Sequence, residues 1–385
     1  MKTQKNTKHK RILIAVGFQP YPTLFGGAVD VWERVIGLKK LGHEVDMVFT
    51  EKVAPTEEDL KLMKQFVSNI YFVKRKNHWK QLFSSLPLQV LSRDGFKKIQ
   101  FTQTYDIVIA EGEFCAQVVQ NSTLLYKSLV VRIHNNEAFY FSQLKKSVDS
   151  FLKKIYYAFE VPKIEKYTAK VLQKADRLWY ISFDEYQQSL HADKAVFLPV
   201  PINEHCVNHS LVSQNMVLFV GALFMPNNIF ALDWYLSHVH PHFIDSKGYE
   251  LVVVGAVKSK DEERNIINKY GSIPKVTLAF NQNDLEPFYA PTKAFINPMF
   301  HGSGVKIKSV MALVNGLPLV STNVGIEGMG LTDQMFWRAN TAKEFILQLT
   351  EIFESSEEHL KNRVHLAQQH LQQNHYLKVL EKELA

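Results

Sequence analysis

The sequence predicts an α/β protein of two Rossmann-like domains, each a parallel sheet, facing each other across a cleft. Three observations carry this. Short apolar runs alternate with amphipathic stretches, the rhythm of parallel sheets wound by crossover helices. Several runs are apolar throughout, which suits strands covered on both faces. The pattern breaks at Leu198-Pro199-Val200-Pro201-Ile202-Asn203, where two prolines interrupt it. A chain of 385 residues also suits about two domains of roughly 100–200 residues each.

In the first half the predicted strands are Arg11–Gly17, Val45–Phe49, Ile70–Val73, Asp106–Ala110, Leu129–Ile133 and Arg177–Ile181. A helix is expected over Val29–Leu41, because Val31, Trp32, Val35, Leu38 and Leu41 fall at helical spacing, with Gly42 as a C-cap. In the second half, strands are expected at Met216–Val220, Leu251–Val254, Val276–Phe280, Ala294–Ile296 and Pro318–Ser321. Helices are expected at Ile229–Val239, Asp261–Lys269, Val305–Val314 and Ala342–Glu354. Beyond Ser356 the chain is charged and helical, without strand signals. The expected domains are residues 1–200, residues 201–356, and a helical segment 357–385 packing back towards the first domain.

Composition narrows the class. The chain is 46% hydrophobic, 12% aromatic and 22% charged, which is globular. Two cysteines, Cys115 and Cys206, exclude a disulfide framework, and without a CxxC pair they exclude a zinc ribbon. The start, MKTQKNTKHKR, is basic and polar, and the following apolar run is shorter than a signal-peptide core. No stretch approaches the roughly 18 apolar residues of a membrane span, so a cytoplasmic location is expected. The net charge of +7 is uneven. Residues 1–200 carry 30 Lys/Arg against 20 Asp/Glu (+10), and residues 201–385 carry 15 against 18 (−3). A basic half suits an anionic membrane, nucleic acid, or simply a solvated surface.

Three segments carry chemistry. Phe25-Gly26-Gly27-Ala28 follows the first strand and opens a helix. Adjacent glycines let a ligand approach the backbone, and a helix start offers free N–H groups to an anion; a plain tight turn accounts for them equally. The second segment runs from Asn297-Pro298 through Gly302-Ser303-Gly304-Val305-Lys306-Ile307-Lys308. Two lysines at a helix start oppose the helix dipole, a conflict that a bound phosphate resolves and that two lysines pointing into water also resolve. The third is Arg132-Ile133-His134-Asn135-Asn136-Glu137, beyond a buried-type strand, where open parallel sheets bind ligands. His134 is either a substrate contact or a hydrogen-bonded structural group. GxGxxG is absent, which weakens a nicotinamide-dependent oxidoreductase reading.

Together these segments resemble the GT-B glycosyltransferases, specifically the retaining, nucleotide-sugar-dependent family four (glycosyl transferases group 1). The resemblance spans most of the chain. Tyr21-Pro22 through Gly26-Gly27, then Leu38–Val45, is similar to the family's opening. Arg132–Glu137 is similar to its RxHNxE segment, and Lys174-Ala175-Asp176 to Ile181-Ser182 to the end of its first domain. Phe219-Val220-Gly221 with Pro226-Asn227-Asn228 resembles the second-domain opening. Gly302–Lys308 through Gly316-Leu317-Pro318-Leu319-Val320-Ser321-Thr322, then Val324-Gly325-Ile326-Glu327-Gly328, is the most specific match.

The resemblance implies roles. Gly26 and Gly27 would set backbone amides against the donor diphosphate; Gly302, Ser303, Gly304 and Val305 would hold the same phosphates from the second domain. Lys306 or Lys308 would neutralise their charge, His134 would lie near the transferred sugar, and Glu327 and Gly328 would line the nucleotide side. The implied reaction moves a hexose-like sugar, with retention, from a nucleotide-diphosphate donor to a saccharide or lipid-linked acceptor in surface polysaccharide or glycoconjugate synthesis. It implies no metal and no cofactor beyond the donor itself, because there is no Asp-x-Asp and lysines take the cation's place. Ser303 and Met311 stand where the family often has a Glu-x7-Glu pair, which motivates a second reading: a catalytically impaired GT-B protein that binds nucleotide or saccharide without turnover.

The basic excess of the first half includes Lys74-Arg75-Lys76, Lys97-Lys98, Lys145-Lys146 and Lys153-Lys154, with Trp79, Phe83, Phe151, Ile155, Tyr156 and Tyr157 among them. Basic groups interleaved with aromatics suit a headgroup layer. The expectation is peripheral attachment to the inner face of an anionic membrane; the competing expectation puts Phe151, Ile155 and Tyr156 in a helix's core stripe. Nucleic acid is not an expected partner, because it leaves the second-domain loop unexplained.

Overall fold

The computed structural model describes residues 9–76, 81, 83–147, 150–202, 206–207, 215–282, 284–373 and 375–385. Trp79 and Asn203, singled out above, lie outside the described residues, as do the first eight residues and the side chain of Lys146. The chain forms two compact units: residues 1–23, 27–201 and 376–385 in the first, and residues 24–26 and 202–375 in the second.

The first unit holds a seven-stranded sheet. Its strands are β1 (Arg11–Val16), β2 (Glu44–Glu51), β3 (Ile70–Lys74), β4 (Thr104–Glu111), β5 (Leu125–Ile133), β6 (Arg177–Tyr180) and β7 (Ala195–Phe197). They lie in the order β3-β2-β1-β4-β5-β6-β7, every neighbouring pair parallel. The period of two decides which side chain meets which layer. Leu13, Ala15, Val108, Ala110 and Val131 face one core. Ile12, Ile14, Val16, Ile107, Ile109 and Val130 face the other. Both faces are therefore covered, which is why these strands read as unbroken apolar runs.

The second unit holds a six-stranded parallel sheet, ordered β10-β9-β8-β11-β12-β13. Its strands are β8 (Met216–Ala222), β9 (Glu250–Ala256), β10 (Val276–Phe280), β11 (Ala294–Asn297), β12 (Leu319–Ser321) and β13 (Trp337–Arg338). Val217, Phe219, Leu251, Val253, Ile296 and Val320 build its core with Trp337, Phe345 and Leu349. The helix Ala342–Glu354 starts in a capping box, Thr341 with Glu344, and Glu351 accepts a hydrogen bond from Trp337 Nε1 at 2.9 Å.

Sequence patterning therefore gives the right class: an α/β chain with two Rossmann-like parallel sheets. It misses the short β7 and β13, whose few residues are too brief for a period to register. The helix expected over Val305–Val314 begins at Ile307, with Lys306 at the N-cap, because Gly302 and Gly304 adopt positive φ (131° and 74°) and keep the loop out of the helix.

The segment beyond Ser356 forms two helices assigned to different units. Glu357–Gln373 belongs to the second, where Leu360 and Val364 enter the core. Tyr376–Leu384 belongs to the first, where Tyr376, Leu380 and Leu384 are fully buried against the Gly26–Lys40 helix layer, and Glu383 accepts from Trp179 Nε1 at 3.1 Å. Leu380→Ala should therefore cost the first unit about 2–5 kcal/mol. Urea unfolding measures this, and a loss under about 1 kcal/mol would show the last helix to be a marginal part of that core.

Candidate active site

In each sheet the chain reverses its winding direction once, and residues beyond the C-terminal strand ends at that point are where open α/β sheets bind ligands. In the second unit the reversal lies between β8 and β11. The loop after β11 carries His301-Gly302-Ser303-Gly304-Val305, and the helix after β8, Pro226–His238, opens with Pro226-Asn227-Asn228. Asn228 joins the two. Its Nδ2 donates to Ala222 O at 3.0 Å, and its Oδ1 accepts from Lys308 Nζ at 2.9 Å. Gly221 makes room for this amide, since a Cβ there would stand 3.0 Å from Asn228 Cγ.

The two lysines differ. Lys306 is buried, donates to Gly304 O, and pairs with Glu327 Oε2 at 3.2 Å. Lys308 is half-buried, and among the described residues it meets the Asn228 amide oxygen and the Phe219 ring at 4.8 Å, both uncharged. Burial, and after it the Lys306 ammonium, lower its pKa to about 7. The helix Ile307–Val314 that follows has no side-chain N-cap bond and no acid in its first turn, so nothing of its own neutralises the positive end. Asn297 and Ser309 brace the loop: Asn297 Nδ2 donates to Ser309 Oγ at 2.8 Å and to Gly325 O at 3.0 Å. Gly328, with φ 75°, is buried beside Glu327.

In the first unit the reversal lies between β1 and β4. Gly26 and Gly27 are the first residues of the helix Gly26–Lys40, which has no acid in its first turn. One turn on, Asp30 is wholly buried among charges of which the sequence pointed only to Arg132, as part of the Arg132–Glu137 segment. Arg132, on β5, donates to Asp30 from Nη2 (2.9 Å) and Nε (3.2 Å). Arg34 donates to Asp30 and, through Nε at 2.7 Å and Nη2 at 3.3 Å, to Glu111 at the end of β4. Arg132 also donates to the carbonyls of Leu198 and Pro199. Burial alone would raise the Asp30 carboxyl, but the Arg132 and Arg34 guanidiniums outweigh it and hold the group far below its ordinary range. Glu111 is lowered likewise, with burial opposed by Arg34 and His134.

His134 sits at the edge of this network, with Nε2 3.1 Å from Glu111 Oε2 and Nδ1 3.9 Å from Asp30 Oδ2. By spacing, Asp30, Glu111 and His134 would suit a cation. Their oxygens, however, already accept from Arg34 and Arg132, which supply the positive charge a metal would bring. Beyond the same strand ends, burial raises Glu113 to about 8 and Glu137 to about 7; neighbouring carboxylates add to both.

The structure thus groups Lys306, Lys308, Gly302, Ser303, Gly304, Val305, Glu327 and Gly328 at one strand-end region of the second unit. It places His134 and Gly27 at the corresponding region of the first unit; Gly26 is counted with the second. The signal for Asp30 and Arg34 was present but unread: two opposite charges four residues apart on the same helix face as Val31 and Val35.

Residues 214–355 match the family model for glycosyl transferases group 1. An uncharacterized 44.6 kDa protein in the cps region of Klebsiella pneumoniae is 33% identical over 332 residues, 83% of this chain and 84% of that protein. Among solved structures, a TarM variant of S. aureus in complex with fondaparinux, alpha-GlcNAc-glycerol and UDP aligns with TM-score 0.68 at 10% identity, over 97% of this chain and 99% of its own. WaaG, a glycosyltransferase involved in lipopolysaccharide biosynthesis, aligns with TM-score 0.61 at 13% identity, over 97% and 98%. The fold is that of the GT-B glycosyltransferases. The chain belongs to the glycosyl transferases group 1 family.

Asp30→Asn leaves two buried guanidiniums short of a negative charge and should cost about 3–5 kcal/mol at neutral pH. Because the folded Asp30 lies below its ordinary 3.8, its contribution is present above that value and is lost as pH falls through the lowered one. The urea midpoints of wild type and variant should therefore converge only in strong acid. Equal midpoints at neutral pH would show the ion network to be dispensable.

Proposed function

We propose that the protein transfers a hexose-like sugar from a nucleotide-diphosphate donor to a saccharide or lipid-linked acceptor, with retention of configuration, in surface polysaccharide or glycoconjugate synthesis. The observation that carries this is Lys308: an ammonium held at a glycine loop and a helix N-terminus without a side-chain cap, with the neutral Asn228 amide and Phe219 ring as its partners among the described residues. A pyrophosphate would supply the missing charge, accept hydrogen bonds from backbone amides at the helix start, and spread its leaving-group charge into them. Lys306, already paired with Glu327, fixes the loop and adds a second positive field. In the same reading the departing diphosphate takes the acceptor proton, His134 serves the sugar, and the backbone of Gly26 and Gly27 serves the phosphates. The cps region of the Klebsiella relative and the involvement of WaaG in lipopolysaccharide biosynthesis support the biosynthetic setting; UDP in the TarM complex supports a nucleotide donor.

Lys308→Ala and Lys306→Ala should each lower donor turnover by about one to two orders of magnitude, at roughly 1.4 kcal/mol per tenfold. Wild-type rates in both would remove the assignment. Tight nucleotide binding by wild type with no transfer to any acceptor would favour the impaired-binder reading that Ser303 and Met311 motivate. A pH signature accompanies Lys308. Its free pKa of about 7 rises when a phosphate binds, so donor binding takes up a proton above neutrality. Donor affinity should fall between about pH 7 and about pH 9 in wild type and stay flat in Lys308→Ala. Calorimetry with a nucleotide sugar, whose diphosphate diester does not titrate there, makes the test.

The same reading includes attachment to an anionic membrane. Among the described residues no helix is long and apolar enough to cross a membrane. On the helix Phe151–Lys174, Phe151, Leu152 and Phe159 are 73%, 77% and 68% exposed and Ile155 is also exposed, beside exposed Lys153 and Lys154. The core stripe of that helix is instead Ile164, Tyr167 and Val171. An apolar ridge beside lysines suits an anionic headgroup layer. Wild type should float with anionic liposomes at low salt and the Phe151→Glu/Phe159→Glu double variant should not. Equal flotation of the two would reject the ridge.

A further inference from the structure

We propose that Glu111 is a positioning residue for the transfer: it accepts the hydrogen bond of His134 Nε2–H and so leaves Nδ1 as the ring's acceptor for a hydroxyl of the bound sugar. The geometry argues this in three steps. Glu111 is a carboxylate and accepts only, so the His134 nitrogen 3.1 Å from its Oε2 must carry the hydrogen. Glu111 cannot swing to satisfy a different tautomer, because Arg34 grips both its oxygens from a fully buried position. Nδ1 lies 3.9 Å from Asp30 Oδ2, beyond hydrogen-bond reach, and Asp30 is itself held by two arginines. In the neutral ring Nδ1 is therefore the free lone pair, on a side chain about a quarter exposed at the strand ends. His134 is set by a rigid ionic frame, as a catalytic carboxylate sets its histidine's tautomer elsewhere. The kinetic half of this inference rests on the transfer reading; the tautomer does not.

Glu111→Gln makes the test. An amide can offer its oxygen to Arg34 and its N–H to His134 Nε2, which reverses the tautomer and leaves a hydrogen on Nδ1. Selective nitrogen-15 labelling of the 15 histidines, with His134 assigned by its loss in His134→Gln, reads the ring directly. The expected result is Nε2–H in the wild type and Nδ1–H in Glu111→Gln, with kcat down by about 10- to 100-fold and a smaller change in donor KM. Glu111→Asp, which keeps an acceptor-only group, should retain Nε2–H and recover part of kcat, and it stands in should Glu111→Gln fail to fold. A wild-type ring protonated on Nδ1 alone, or a tautomer unchanged in Glu111→Gln, overturns the proposal whether or not any transfer is found. Should the tautomer reverse while kcat holds, the positioning role is rejected.

Discussion

Four fully buried charges hold the strand-end edge of the first sheet together. Asp30 comes from the helix after β1, Arg34 from its next turn, Glu111 from β4 and Arg132 from β5. Each carboxylate meets a guanidinium, so the cluster is neutral in sum and its desolvation is offset by short, paired hydrogen bonds. Apolar residues of similar size would fill the space at no worse stability. What they would not do is fix direction. The planar forks of two arginines set the angle of Asp30 and Glu111, and through Glu111 the ring of His134. The same Arg132 ends on the carbonyls of Leu198 and Pro199, so the last turn of chain before the first unit closes is tied to the network.

The second unit solves the opposite problem. There the equivalent strand ends gather positive charge without full compensation. Lys306 has Glu327, but Lys308 meets an amide oxygen and an aromatic face, and its proton is weakly held as a result. A group so placed costs stability when charged. In the proposed reading an anionic ligand restores the balance, and a helix start with no side-chain cap suits it. The glycines are part of the same device. Gly302 and Gly304 take positive φ, which lets the loop turn back so that Lys306 can reach a carbonyl two residues behind it.

The sequence made the fold legible because parallel strands covered on both faces leave a strong mark: the apolar runs at β1, β4, β5, β8 and β9 need no neighbours to be recognised. The glycine-and-lysine loop was legible for the same local reason, since turn residues and a helix start lie within a few positions. The ionic network was not. Asp30, Glu111 and Arg132 are about 20 to 100 residues apart; Asp30 and Glu111 each look alone like an ordinary surface charge, and the Arg132 segment does not name its partners. Only the sheet order, which puts β4 between β1 and β5, makes them neighbours. The apolar ridge of the Phe151–Lys174 helix was misjudged by a rival expectation: periodicity detects a stripe but not whether anything covers it, and the buried stripe proved to lie further along, at Ile164, Tyr167 and Val171.

Compensated charge in one unit and deficient charge in the other suit the two kinds of recognition that the proposed transfer would need. A sugar offers hydroxyls, whose recognition needs a donor or acceptor at a defined place and in a defined protonation state; a closed ionic frame around one histidine provides that. A diphosphate offers charge, whose recognition needs an electrostatic deficit that only the ligand fills. An ammonium with a depressed pKa is such a deficit, because it gains its proton and its partner together. Were the arrangement reversed, with the lysine saturated and the histidine unframed, the loop would bind phosphate no better than a solvated lysine does, and the ring would sample both tautomers. The buried charge of each sheet thus matches, in the proposed reading, a different chemistry: hydroxyls at the framed histidine and an anion at the lysine loop.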